Sequence, residues 1–352
     1  MDHSQRYSKQ ILFSPIGETG QQRLAESSVL LIGCGALGCV LADSLARAGI
    51  GRLRIVDRDF VEESNLQRQI LFTEQDAEEH LPKVVAAKSR LQAINSSIQI
   101  EAIVADVTEA NILEFAEQVD LILDGTDNFE IRYLINDAAL ETDTAWIFTG
   151  CTGSSGQMMP VVPQKTGCLR CLMPDAPPPG ATETCDTAGV LGPAVMAIAS
   201  MQAAMAIRLL VEQHSYDDEP EHLAELRKLT IIDVWDQSHR TVDTSRLPDG
   251  SCPACCGGER KWLEGSESGQ STVLCGRNAV QVTPATPLSL SLEELAVRFE
   301  PFATVRSNRF LVRATLSEGD IQLTVFPDGR AIIKGTEDPS VARSIFARWI
   351  GS

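Results

Sequence analysis

The sequence predicts an α/β protein: a doubly wound, mostly parallel sheet, then a cysteine-stapled portion, then a small α+β domain. Three observations carry that expectation. Over the first 150 residues, apolar runs of four to seven residues alternate with longer amphipathic stretches, the pattern of βαβ units. A glycine turn, Gly33-Cys34-Gly35-Ala36-Leu37-Gly38, joins the first apolar run to the first long helical stretch. Past Gly150 the alternation stops, and the last eighty or so residues form a separate set of short runs.

Each element arises from local pattern. An amphipathic stretch, Arg6 to Leu12, leads through a loop to a helix ending near Glu26. Strands are expected at Val29–Ile32, Leu53–Val56, Ile98–Val104, Leu121–Asp124 and Trp146–Gly150, with helices between them at Gly38–Ala48, Lys83–Asn95, Ile112–Ala116 and Ile131–Leu140. A strand near Gln157–Val162 comes next, then a loop from Pro174 to Gly180 whose three consecutive prolines exclude a stable helix. An apolar helix runs from Thr187 to about Gln213, followed by an acidic turn at Asp217-Asp218-Glu219 and a strand at Leu229–Val234. Residues 263–271, rich in Gly, Ser and Glu, read as a linker between domains 1–262 and 272–352. The second domain reads β-α-β-β-β-α: Thr272–Val282, Leu292–Phe299, Ala303–Ala314, Ile321–Phe326, Ala331–Lys334 and Pro339–Ile350, with Pro327-Asp328-Gly329 as a hairpin turn.

Composition narrows the function. The chain has 352 residues, 43% of them hydrophobic, enough for a full core and two domains. A formal charge of −18 disfavours nonspecific binding to nucleic acid or anionic lipid, which needs excess Lys and Arg. The start, Met1-Asp2-His3-Ser4-Gln5-Arg6, has no apolar run behind it of the kind a signal peptide carries, so a cytoplasmic protein is expected. The stretch Val190–Val211 is apolar enough to suggest a membrane span. Its alanines, Gly192-Pro193, Ser200 and Gln202 fit a buried helix better.

The ten cysteines suggest disulfides until their spacing is read. Cys168-x-x-Cys171 and Cys252-x-x-Cys255 are two clamps of metal-ligand spacing, each beside Gly or Pro, and together they predict a four-thiolate zinc site. Two unrelated pairs, or a redox dithiol, are the other readings of the same spacing. Cys256 adjoins the second clamp, while Cys34, Cys39, Cys151 and Cys275 sit in apolar surroundings as small core residues.

The chemistry gathers at one edge of the sheet. Asp57 closes the second strand nineteen positions after Gly38, where a carboxylate accepts bonds from ribose hydroxyls. The glycine turn and this acid alone fit NAD or FAD. Just beyond the acid stands Ser64-Asn65-Leu66-Gln67-Arg68-Gln69, and a hydride-transfer cofactor needs no arginine there, whereas a triphosphate being cleaved needs a planar donor fork.

With Arg6-Tyr7, Asp57-x-Asp59, Pro82-Lys83, Thr126-Asp127-Asn128-Phe129, Arg132-Tyr133 and Thr184-Cys185-Asp186-Thr187-Ala188-Gly189 in this order, residues 1 to about 262 resemble the ThiF/MoeB/HesA family of ubiquitin-activating-enzyme-like adenylyltransferases. The resemblance implies ATP-dependent adenylation of the C-terminal glycine of a ubiquitin-like sulfur-carrier protein with a Gly-Gly tail, of the MoaD or ThiS type. That reaction serves molybdopterin or thiamine biosynthesis, or a related sulfur transfer, and releases pyrophosphate. It also implies a homodimer and, downstream, a sulfurtransferase.

Residue roles come from the resemblance alone. Asp57 takes the ribose, with Gly35 and Ala36 allowing close backbone approach. Arg68 and Lys83 hold phosphate oxygens, and Asn65 orients them within the run from Ser64 through Leu66 and Gln67. Asp127 holds Mg²⁺, and Arg6 reaches the partner's ATP across the dimer. Cys185 takes the carrier as a thioester or acyl disulfide. Other readings stay open at this point. Asp127 and Asn128 also suit a helix N-cap, Lys83 and Arg6 suit ordinary surface charges, and a nicotinamide-dependent oxidoreductase with a structural zinc is the alternative function. The C-terminal domain shows no rhodanese-type cysteine loop, and carrier binding, stability or dimerisation are its open roles.

Overall fold

In the computed structural model the chain is described over residues 3–176, 188–212, 220–265, 271–274, 278–284, 288–317 and 320–350. Contacts divide these residues into two units: 3–176 with 188–265, and 271–350.

The first unit is built on an eight-stranded sheet in the order β3-β2-β1-β4-β5-β6-β7-β8. The strands are β1 (Ser28–Ile32), β2 (Arg52–Val56), β3 (Gln99–Ile103), β4 (Leu121–Asp124), β5 (Ala145–Thr152), β6 (Ser155–Val161), β7 (Lys228–Asp233) and β8 (Ser238–Asp243). The first five pair in parallel, and the last three extend the sheet antiparallel. Central strands are apolar on both sides because both sides are covered. Val29 and Leu31 of β1 point into a core shared with the helices Ala36–Ala48, Lys83–Ile94 and Gly192–Glu212. Leu30 and Ile32 point into the opposite core, with Ile112–Ala116 and Phe129–Glu141.

The helix Gly192–Glu212 is long and apolar enough to cross a membrane by length and composition. It instead lies along the helix Ala36–Ala48, with Val195, Ile198, Ala199, Ala203 and Ala206 buried. Gln202, fully buried, donates from Nε2 to the Asp124 and Ile147 carbonyls, so its amide ties the helix to the sheet. It begins at Gly192, five residues later than the apolar pattern suggests.

The second unit is a six-stranded antiparallel sheet, β11-β12-β13-β14-β10-β9. Its strands are β9 (Ser271–Leu274), β10 (Ala279–Val282), β11 (Ala303–Ser307), β12 (Val312–Leu316), β13 (Gln322–Val325) and β14 (Ala331–Lys334). The helices Leu292–Phe299 and Pro339–Trp349 bring Leu295, Phe299, Ala342 and Phe346 onto Val280, Val312, Leu323 and Ile333. The expected strands Thr272–Val282 and Ala303–Ala314 are each two strands of a hairpin, which makes the order β-β-α-β-β-β-β-α. Asn308 explains the second hairpin. Its Oδ1 accepts from the Phe310 and Leu311 amides, and its own N–H donates to the Leu311 carbonyl, so the chain reverses there.

Candidate nucleotide and metal sites

Strand order reverses between β1 and β4, and the crevice beyond their carboxyl ends is where ligands of open α/β sheets bind. Main chain lines its floor. Gly33, with φ +90, follows β1, and Gly125 follows β4; a Cβ on Gly33 would lie 2.7 Å from the Gly125 oxygen, and one on Gly125 would lie 2.5 Å from the Gly33 oxygen. The two turns touch backbone to backbone, which only glycine permits. The helix Ala36–Ala48 starts immediately afterwards, with no side chain capping its N-terminus among the described residues, which suits its first amides to an anion.

Asp57, just past β2, locks this turn. Its Oδ2 accepts from the Cys34 N–H at 2.6 Å and its Oδ1 from the Asp59 N–H at 2.7 Å. A carboxylate has about four lone-pair directions, which leaves room for sugar hydroxyls. Burial pushes the Asp57 pKa up, and Lys83 pulls against it. Lys83 opens its helix after Pro82 and is itself buried. Its N–H donates to the Asp59 carbonyl at 3.0 Å and its Nζ lies 3.1 Å from Asp59 Oδ2. The Phe60–Pro82 bridge and the Val61 to Leu81 hydrogen bond hold the two segments side by side.

Between these segments lies the Ser64–Gln69 run, which begins as a 3₁₀ turn, Glu63–Asn65. Asn65 is buried as the N3 partner of a capping box with Glu62, accepting from the Glu62 N–H at 3.2 Å. Gln67 is exposed, and Arg68 is half-buried with its Nη1 on the Ser64 carbonyl at 2.9 Å.

On the β4 side, Asp127 is exposed and no hydrogen bond or ion pair engages its carboxylate among the described residues. Asn128 caps the helix Phe129–Glu141, its Oδ1 accepting from the Glu130 N–H at 2.8 Å. Beneath them is an ion pair that sequence reading missed. Arg132 Nε donates to Asp124 Oδ2 at 3.0 Å, its Nη2 donates to the Thr126 carbonyl at 2.8 Å, and its guanidinium lies 5.0 Å from the Phe129 ring centre. Asp124 also accepts from the Thr126 N–H and hydroxyl at 2.9 and 2.7 Å and from the Thr149 N–H at 3.3 Å. Burial raises its pKa, with Arg132 the main opposing influence. The pair fixes the loop that carries Asp127. Its one sequence signal was Arg132 standing eight residues beyond a strand-terminal acid.

Two further groups missed in the sequence lie beside Asp57. Arg58 Nη1 is 3.0 and 2.9 Å from the two Asp106 oxygens, and its Nε is 3.9 Å from Asp59 Oδ1. Burial works against the Arg58 charge, but Asp106 and Asp59 outweigh it and hold its pKa above the ordinary value.

Arg6 is not brought into this cleft. It is exposed, and its Nη1 donates to the Ile94 carbonyl at 3.0 Å. Ile94 and Lys83 are opposite ends of one helix, a separation of about 16 Å. Tyr7 anchors the segment. It is buried, its hydroxyl accepts from Asn95 Nδ2 at 2.9 Å, and its ring would be 2.5 Å from a Cβ on Gly49. Cys185 and Cys275 lie outside the described residues.

The two cysteine clamps do converge. Cys168 Sγ is 3.7 Å from Cys252 Sγ and 3.9 Å from Cys171 Sγ, Cys171 Sγ is 3.4 Å from Cys255 Sγ, and all four lie within 4.8 Å of one another. Zinc–sulfur bonds of about 2.3 Å in a tetrahedron separate the sulfurs by about 3.8 Å, so the cluster is sized for such an ion. Hydrogen bonding from Cys171 and Cys255 pulls the Cys168 pKa down to about 2, while contacts with Cys168 and Cys171 push Cys255 upward. Four sulfurs this close form a donor set that could hold a metal ion. Cys256 is exposed, with its sulfur 3.9 Å from Cys255.

Comparison with known proteins agrees with this layout. The pattern described as the ThiF family matches residues 7–254. A protein of Bacillus subtilis (strain 168) named sulfur carrier protein ThiS adenylyltransferase is 40% identical over 98% of this chain and 99% of its own. An Escherichia coli (strain K12) protein of the same name is 43% identical over 72% of this chain and 95% of its own. Among solved structures, E. coli MccB with ATP superposes with a TM-score of 0.60 at 24% identity, covering 72% of this chain and 74% of that one, a likeness of fold.

Proposed function

Because this chain belongs to the ThiF family, we propose that it is an ATP-dependent adenylyltransferase acting on the C-terminal glycine of a ubiquitin-like sulfur carrier. The observation that supports this most directly is the Gly33–Gly125 contact with Asp57 and Lys83 beside it: a narrow main-chain cleft with a sugar acceptor and a buried cation at its rim. Relatives named for ThiS favour a carrier of that type, and a MoaD-type carrier is the neighbouring choice.

In the reaction, the carrier's terminal carboxylate attacks the α-phosphorus of ATP in line, forming the acyl-phosphate bond and breaking the bond to pyrophosphate. Asp57 accepts the ribose hydroxyls. The first amides of the helix Ala36–Ala48 meet phosphate oxygens, and Lys83 and Arg68 neutralise charge that builds as the leaving group departs. Lys83 then exchanges its contact with Asp59 for a phosphate. Asn65 holds the Arg68 loop in register through its capping box. Asp127, exposed on a loop braced by Arg132, is the side chain that would hold Mg²⁺. That ion, when bound, would neutralise charge on the leaving pyrophosphate.

The four-cysteine cluster would hold a structural zinc, joining the segment after β6 to the segment after β8. Arg6, anchored a helix length from its own cleft, acts on the cleft of a second copy in a homodimer. The Cys185 thiol attacks the carrier's acyl-adenylate, forming a thioester as the acyl-phosphate bond breaks and AMP leaves, and a sulfurtransferase supplies the sulfur. The E. coli relative, which reaches 95% of its own length within 72% of this chain, supports an adenylation core that works without the C-terminal module.

The deciding experiment mixes the purified protein with ThiS- and MoaD-type carriers, ATP and Mg²⁺, and weighs the carrier. A mass gain of one AMP with pyrophosphate release supports the reading. No adduct on any carrier, together with nicotinamide binding or reduction, replaces it with the oxidoreductase alternative.

A further inference from the structure

We propose that Arg58 forms the wall of the cleft against which the purine base of ATP stacks, its guanidinium held in one plane by Asp106. The inference rests on the nucleotide reading and extends it to base recognition. With phosphates at the N-terminus of the helix Ala36–Ala48 and the sugar at Asp57, the base must leave the sugar on the side away from the phosphates, across the carboxyl ends of β2 and β3. Arg58 is the residue immediately after the sugar acceptor, and Asp106 lies three residues past the end of β3. Their ion pair spans those two strand ends, 3.0 and 2.9 Å from one nitrogen to both oxygens, and the Asp57 N–H donates to the Ile103 carbonyl at 3.2 Å beside it.

The clamp is itself braced. Asn111 Nδ2 donates to the Asp106 carbonyl at 2.8 Å, and Asn111 Oδ1 accepts from the Thr108 N–H at 2.9 Å, which fixes the loop after β3. Asp59 Oδ1, 3.9 Å from Arg58 Nε, steadies the other side of the guanidinium. The Arg58 and Asp106 side chains keep 24% and 21% exposure, so the pair is partly accessible and not sealed in the core. A planar, delocalised cation held at several points is suited to stacking on an aromatic base, which a lysine in the same place is not.

The test compares two ligands on the full-length protein by calorimetry: ATP and ribose 5-triphosphate, which lacks the base. Wild type is expected to bind ATP more tightly than the base-free compound. Arg58→Ala should weaken ATP by about tenfold and leave the base-free affinity alone, erasing most of the preference. Arg58→Phe, which restores a flat surface without charge, should keep the preference, and Asp106→Asn should lose part of it. Equal weakening of both ligands by Arg58→Ala would assign the pair to strand stapling or general electrostatics and overturn the proposal. So would unchanged ATP affinity. If wild type binds neither compound, the nucleotide reading itself falls, an outcome distinct from either.

Discussion

Arg132 and Asp124 form an ion pair of 3.0 Å directly beneath the loop that carries Asp127, and both side chains are almost completely buried. A charge pair this deep costs much desolvation, which the hydrogen bonds from Thr126 and Thr149 offset. Removing one member should therefore hurt more than removing both. Arg132→Met is expected to lose about 3–5 kcal/mol in urea unfolding, and the double variant with Asp124→Leu less than that. A double variant as unstable as the single would refute the pairing argument.

The same carboxyl gives a pH signature. Burial raises the folded-state pKa of Asp124 above the ordinary carboxylate value, so a proton is held more tightly in the folded state than in the unfolded chain. Stability from that proton is complete below the unfolded pKa, about 3.9, and is lost as pH rises through the folded value. Without Arg132 the raising effect is opposed only by the hydrogen bonds from Thr126 and Thr149. The stability deficit of Arg132→Met should then be smallest at acidic pH and grow toward pH 8, measured as the difference in unfolding midpoint from wild type.

Arg68 and Lys83 are separable by exposure. Arg68→Ala should lower ATP–pyrophosphate exchange by about a hundredfold to a thousandfold, about 3–4 kcal/mol in the transition state, with an unchanged melting curve because its contact is to the Ser64 carbonyl on the surface. Lys83→Met should lower exchange similarly and also shift the melting temperature, since it leaves Asp59 without its ammonium partner. An Arg68→Ala enzyme of normal exchange rate would remove that arginine from the phosphate site.

Metal analysis tests the thiol cluster. One zinc per chain is expected, lost together with thermal stability in Cys252→Ser and retained in Cys256→Ser, whose sulfur lies outside the set of four. Zinc retained in Cys252→Ser but lost in Cys256→Ser would reassign the ligands.

Complementation tests the placement of Arg6. Arg6→Ala and Arg68→Ala, each strongly impaired alone, should recover exchange activity when mixed and allowed to re-form dimers, because one cleft in each mixed dimer then has both arginines. No recovery on mixing would confine Arg6 to its contact at Ile94.

Much of this was legible in residue order. The parallel strands announced themselves because they are apolar on both sides, and the clamps because thiol spacing has few other uses. What escaped was long-range or polar. β8 has all six residues exposed and so no alternation to read. Its hairpin with β7 is set by Asp233, whose Oδ1 accepts from the Trp235 and Asp236 amides. The Arg132–Asp124 and Arg58–Asp106 pairs join residues whose meeting depends on how strands and loops assemble. Lys83 was legible as a helix-start lysine, but its burial against Asp59 was not.

The reciprocal crowding of Gly33 and Gly125 has a wider effect. Since each excludes a side chain from the other, the gap between the first and fourth strands has a width dictated by peptide units alone. Substitutions among the neighbouring side chains can retune which molecules settle there without altering that spacing. A methyl group at either position would pry the floor apart, and no second change nearby has atoms to give up in return.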